Sequence, residues 1–61
     1  MGIPKDPYML LSWANMKLRD LYPSLSELAA AESADEAEIC RTLEKAGYRY
    51  DFEKNQFVLH A

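Results

Sequence analysis

The sequence predicts a small, mainly α-helical domain in which three helices are followed by a C-terminal β-hairpin. Three observations carry this prediction. Three segments each begin with an Asp or Ser suited to a helix N-cap, and the apolar residues within them recur at helical spacing. After Gly47 the pattern changes to aromatic and β-prone residues around a turn-forming stretch.

The first helix is predicted over residues 7–22. Asp6 is its expected N-cap, and Pro7 suits the first helical position because its missing N–H would have no partner there. Pro23 ends the helix, since the residue before a proline is pushed out of helical geometry. One side of this helix is expected to face the core: Leu10, Leu11, Ala14, Leu18 and Leu21.

A second apolar stripe lies on the same helix at i, i+4 and i+7: Met9, Trp13 and Met16. Either the hairpin covers it as core, or it is exposed and forms a contact surface for a protein partner or a second copy. A further side is expected to be solvated: Ser12, Asn15 and Arg19.

The second helix is predicted over residues 25–32, where Ser24 and Glu27 have the spacing of a capping box. Its apolar face is expected to consist of Leu25, Leu28 and Ala29. The residues that follow, from Glu32 to Ala34, are expected to form a tight turn, with Ser33 in the left-handed conformation.

The third helix is predicted over residues 36–46. Asp35 with Glu38 is the favoured start, although Ser33 with Glu36 has the same spacing one turn earlier. Core contacts are expected from Ile39, Leu43 and Ala46, and Gly47 is expected to close the helix.

A hairpin over residues 48–60 is predicted to complete the domain, with strands over 48–51 and 56–60. Asn55 is the expected left-handed residue of the connection. An isolated hairpin is marginal in water, so Tyr50 and Phe57 are expected to pack on the helices.

Composition limits what the chain can be. With 61 residues, 49% of them hydrophobic, it holds a single domain over residues 1–61 and enough apolar residues for a core. No apolar run approaches the roughly 18 residues that a membrane span needs, so a cytoplasmic protein is expected. Cys40 and His60 are too few for a zinc site, and we expect no metal and no cofactor.

Helix, helix-turn-helix, hairpin is the element order of a winged-helix domain, so the fold is predicted to be winged-helix-like. Leu28 and Ala29 resemble the hydrophobic and small pair by which the motif helices approach each other. The motif is degenerate, because three positions depart from its pattern: Glu32, Ser33 and Thr42.

Several short segments occur in a fixed order from Pro4 to Val58: PKDP, MLLS, LRD-L-YPSL, GY-YD and NQFV. In these segments the chain resembles a family of short bacterial proteins, domain-of-unknown-function family 4250. The resemblance implies no activity, ligand or catalytic residue.

The best functional interpretation is a non-enzymatic protein–protein interaction module. Its main alternative is a DNA-binding winged-helix regulator, whose candidate contacts would be Arg41, Arg49 and Lys54. A net charge of −3 and the acids on the outward side of the third helix disfavour a nucleic-acid partner.

An enzyme is not expected, because Cys40 has no evident catalytic partner and no glycine-rich phosphate loop exists in the sequence. Asn15, Arg19 and Asp20 form a polar group on the first helix. We favour a structural role for it, in which Arg19 or Asp20 ties the helix end to the hairpin or the next turn, over a ligand site.

Overall fold

Three helices and one antiparallel hairpin make up residues 3–60, the part of the chain that the computed structural model describes. The elements are α1 (Pro7–Asp20), α2 (Leu25–Ala31), α3 (Glu36–Lys45), β1 (Tyr48–Asp51) and β2 (Gln56–Leu59). The predicted order, mainly helical with a C-terminal two-stranded hairpin, is therefore confirmed.

Each helix begins where its N-cap side chain predicts. Asp6 accepts hydrogen bonds from two backbone N–H groups of α1, at 3.0 and 3.1 Å. Ser24 accepts one from Glu27 at 3.2 Å, and Asp35 accepts one from Ala37 at 3.0 Å. Asp35 rather than Ser33 is thus the cap of α3, as favoured from the sequence.

The helices end earlier than predicted. The N–H groups of Leu21 and Tyr22 both bond to the carbonyl of Lys17, at 2.8 and 3.0 Å, which closes α1 two residues before the predicted end. Tyr22 precedes Pro23 and is therefore kept out of the helix. Leu21, expected in the core, is 62% exposed because the chain has already left the helix there. Each of α2 and α3 ends one residue short of its prediction.

Three predicted turn positions have positive φ angles: 55° at Ser33, 93° at Gly47 and 53° at Asn55. Glycine tolerates this region because it lacks a Cβ, and Asn is the residue that tolerates it next best. Gly47 leads from α3 directly into β1, and Asn55 leads into β2.

A single core joins all five elements. Its buried side chains are Leu10, Ala14, Leu18, Leu25, Leu28, Ile39, Leu43 and Phe57. The Tyr50 and Phe57 rings lie 5.4 Å apart, with Phe57 buried and Tyr50 half-buried, so the prediction that they seat the hairpin on the helices is confirmed.

The hairpin is attached to α1 through the side chain of Asn15. The N–H of His60 donates to the carbonyl of Gly47 at 2.7 Å, and the alternation of an antiparallel ladder then turns the backbone polar groups of Phe57 away from β1. The side chain of Asn15 hydrogen-bonds to both groups, accepting from the Phe57 N–H at 2.7 Å and donating to the Phe57 carbonyl at 3.1 Å. The expectation that Asn15 is solvated is wrong, because it completes the ladder from a half-buried position.

Asn55 makes a second attachment at the other end of the hairpin. Its amide donates to the carbonyls of Leu18 and Tyr22, at 3.1 and 3.0 Å, and its oxygen accepts from the Tyr50 hydroxyl at 2.5 Å. That hydroxyl in turn accepts from the N–H of Leu25 at 3.3 Å. One side chain therefore joins the hairpin turn to the end of α1 and, through Tyr50, to the start of α2.

Replacing Asn55 by Gly separates its backbone role from its side-chain role. Gly adopts a positive φ more easily, so a purely conformational role predicts unchanged or higher stability. We expect a loss of about 1–3 kcal/mol in the free energy of unfolding, because two carbonyls and a hydroxyl lose their partner.

Ser33→Gly is the matched control for this prediction, since Ser33 has nearly the same φ in an exposed turn. Urea denaturation of both variants checks it. If Asn55→Gly proves as stable as Ser33→Gly, the side-chain attachment contributes nothing.

Candidate protein-contact surface

The two methionines of the stripe predicted on the first helix are exposed, whereas its tryptophan reaches the core. Met9 is 65% exposed and Met16 is 44% exposed, and Trp13 is half-buried and packs against the core. We call these three residues the α1 outer face. Residues seven apart on a helix project within about 20° of each other, so the two methionines lie in line.

The hairpin leaves Met9 and Met16 exposed, although Met16 lines a shallow pocket together with Lys54 and Gln56 of the hairpin. It is bonded to α1 at Asn15 and Leu18, and its two rings, Tyr50 and Phe57, pack against each other at a tilt of 53°. Asn15 projects about 100° around the helix from Met16 at the helical period, so this attachment and the outer face lie on different sides. Of the two alternatives left open by the sequence, the exposed stripe agrees better with this geometry.

Trp13 is held in place from the side of the α2–α3 turn. The Lys17 ammonium lies 5.9 Å from the centre of the indole ring and 3.4 Å from the carboxylate of Glu32. The same carboxylate accepts a hydrogen bond from the Tyr22 hydroxyl at 3.1 Å, which raises the pKa of Tyr22. A rigid aromatic ring beside two flexible methionines is typical of an interface anchor.

The sequence alone did not reveal that Trp13, Lys17, Tyr22 and Glu32 lie together, although the unusual position of Glu32 could have indicated it. A carboxylate where the helix-turn-helix pattern favours an apolar residue calls for a cation and a donor nearby, and Lys17 and Tyr22 supply them.

Charged residues flank the α1 outer face at both ends of the helix. Lys5 and Asp6 are exposed before its first turn. At the other end, Arg19 donates to Asp20 through two nitrogens, at 2.9 and 3.1 Å, and these bonds lower the pKa of Asp20. Arg19 and Asp20 thus bond to each other, and the helix is tied to the hairpin by Asn15 and Asn55 instead.

The three residues considered for nucleic-acid contact are exposed, and each has an acidic residue nearby. Arg41 lies on α3, whose first turn contains Glu36 and Glu38. Arg49, on β1, shares a shallow pocket with Glu44 and comes within 3.5 Å of His60. Lys54 is in the hairpin turn, where its backbone N–H donates to the Asp51 carboxylate at 3.3 Å.

An open cleft of about 600 Å³ separates the N-terminal segment from the α2–α3 turn. Its lining includes Lys5, Glu32, Asp35 and Glu38. The carboxylates of Glu32 and Asp35 already serve structure, one as partner of Lys17 and the other as the cap of α3.

Cys40 is half-buried on α3. Burial raises the pKa of its thiol, and the neighbouring carboxylates of Glu36 and Glu44 raise it further. A thiol of this kind is a weak nucleophile at neutral pH. Within residues 3–60, no group of three or more His, Cys, Asp or Glu side chains is placed to hold a metal ion.

Comparison with known protein families finds one family that matches the chain. The family described as a domain of unknown function (DUF4250) matches residues 4–57, which is most of the sequence. The chain belongs to the DUF4250 family. The match confirms the resemblance drawn from the short motifs between Pro4 and Val58. No curated protein and no solved structure matches this DUF4250 chain.

None of the helices described in the DUF4250 structure combines the length and the hydropathy required to cross a membrane.

Proposed function

We propose that this DUF4250 protein is a non-enzymatic protein–protein interaction module that binds through the α1 outer face. The observation that carries the proposal is the exposure of Met9 and Met16 beside an anchored Trp13. Met and Trp are enriched at protein interfaces, and the flexible thioether of Met adapts to irregular partner surfaces.

The rest of the fold supports this use by making α1 rigid. The helix is capped by Asp6, its inner side is buried, and the hairpin is bonded along it at Asn15 and Asn55. A surface that is ordered before binding loses less conformational entropy when a partner arrives.

The three-helix and hairpin order supports a winged-helix-like scaffold with a degenerate helix-turn-helix. Element order alone favours the alternative, a DNA-binding regulator, and fold analogy is a weak warrant for function. The helix that would enter the major groove is α3. Its three acids, Glu36, Glu38 and Glu44, outnumber its two bases, Arg41 and Lys45. We therefore rank DNA binding below protein contact.

Duplex DNA is expected to remain unbound at physiological salt, because no net positive field compensates the phosphates. Fluorescence anisotropy with a labelled mixed-sequence duplex checks this. The double variant Glu36→Lys with Glu44→Lys is the positive comparison, since it should acquire salt-sensitive binding if the scaffold can dock on DNA. Micromolar binding by the wild type, lost in Arg41→Ala, would reverse the ranking.

Contact through the α1 outer face is tested by photocrosslinking in cells. A photoreactive phenylalanine analogue at Met9 is expected to form covalent adducts with protein, identified by mass spectrometry, and Met16→Glu in the same chain should abolish them. The substitution adds a charge within the contact. Because Met16 is exposed in the single chain, the charge stays in water, and the free energy of unfolding should stay within about 0.5 kcal/mol of wild type.

Phe52 supplies the control position, since it is 79% exposed in the hairpin turn. The same analogue at Phe52 should give no adduct that depends on Met16. Absence of any protein adduct from Met9 would contradict the proposed function.

A further inference from the structure

We infer that the α1 outer face is a redox-sensitive contact: oxidation of Met9 and Met16 to methionine sulfoxide releases the protein partner, and reduction restores binding. This inference rests on the proposed function and adds its regulation. It is drawn from where the structure places the sulfur-containing side chains.

Both methionines of residues 3–60 lie on the surface. Met9 is 65% exposed and Met16 is 44% exposed, and the pocket that Met16 lines is open to solvent. Methionine is among the residue types most often buried, because its side chain is flexible and apolar. Here the core is filled by Leu, Ile, Ala and Phe and contains neither methionine. Both side chains are therefore within reach of a small oxidant.

The modification is the transfer of one oxygen atom from hydrogen peroxide to sulfur. A lone pair of the thioether attacks one peroxide oxygen, the O–O bond breaks, and the other oxygen leaves as water after a proton transfer. Sulfur is oxidised by two electrons, and the peroxide is reduced by two. The sulfoxide is polar and chiral where the thioether was apolar, which disrupts contacts made by methionine.

Oxidation is expected to act on binding and to leave the fold intact. In the single chain the sulfoxide oxygens of Met9 and Met16 stay in water, because neither side chain belongs to the core. In the complex the same oxygens are buried against a surface that fits an apolar thioether, and a buried polar group without a hydrogen-bond partner is unfavourable. The partner should therefore bind the oxidised face about tenfold more weakly.

Cys40 holds the remaining sulfur of residues 3–60 and is a poorer target for peroxide. It lies on α3, outside the α1 outer face, and it is half-buried. Burial and the carboxylates of Glu36 and Glu44 raise the pKa of its thiol, whereas peroxide reacts with the thiolate. A thioether has no proton to lose, so Met9 and Met16 have no such protection.

Peptide mass spectrometry after treatment with dilute hydrogen peroxide tests the modification itself. Cys40→Ser in every chain removes the thiol as a competing target. Met9 and Met16 should form sulfoxides in the folded chain at nearly the rate measured in urea, and the thermal unfolding curve should not change. Strong protection of both methionines by the fold, or unfolding on oxidation, would overturn the inference.

Photocrosslinking tests the effect on binding. A chain with the photoreactive phenylalanine analogue at Met9 keeps Met16 as the oxidisable residue. The purified chain is oxidised, freed of peroxide and illuminated in an extract of the cells that express it, so that the partner is never oxidised. The yield of protein adducts should fall about tenfold and recover after treatment with methionine sulfoxide reductases and dithiothreitol. With the analogue at Met16 instead, the same experiment tests Met9.

Met16→Leu is the matched control, since leucine is apolar and of similar size but has no sulfur. Its adducts should be the same before and after peroxide treatment. Adducts of the Met16 chain that survive its oxidation, or adducts that the Leu variant loses as well, overturn the inference and leave the interaction module standing. Absence of adducts from the untreated chain contradicts the proposed function, and the inference fails with it.

Discussion

The amide of Asn55 is the interaction on which the arrangement of the domain depends. A two-stranded hairpin is marginal by itself, so in a 61-residue chain it must be held by the helices. Asn55 bonds it to the last turn of α1, and Asn15 bonds it again about one turn earlier. These bonds also fix the side of α1 on which the hairpin lies.

The side of α1 on which the hairpin lies determines which part of the helix surface stays exposed. The inner side of α1 is buried against the core, the hairpin occupies the side of Asn15, and the α2–α3 turn reaches the opposite edge through Lys17 and Glu32. The remaining side contains Met9 and Met16. A structural need, the seating of a small hairpin, therefore leaves an apolar surface available for a partner.

Local features of the fold could be predicted from the sequence because their causes are local. Asp6 and Asp35 cap the helices that they precede, and Asn55 adopts the left-handed conformation that the turn requires. The role of Asn15 could not be predicted in this way, because its partner, Phe57, lies 42 residues further along the chain. Helical periodicity placed Asn15 beside Ser12 and gave no sign that a strand edge would reach it.

The candidate surface was predictable only in part, for the same physical reason. Periodicity identifies Met9, Trp13 and Met16 as one stripe, yet the choice between core and surface depends on where the hairpin docks. Two asparagine amides decide that through contacts across the whole chain. The ion pair of Lys17 with Glu32, which holds Trp13, is likewise a tertiary contact between residues that no motif connects.

The central claim is that the free side of α1 is a contact face while the hairpin is not. Its most direct test is NMR inside living cells, with the methionine methyl groups labelled and the amides observed in parallel, compared with the purified chain in dilute solution. If α1 meets a partner, the methyl signals of Met9 and Met16 and the indole signal of Trp13 are expected to shift or broaden together in the cell, while the turn amides of Glu53 and Lys54 stay fixed. Changes confined to the hairpin, or methyl signals that are the same in the cell as in dilute solution, would contradict this claim.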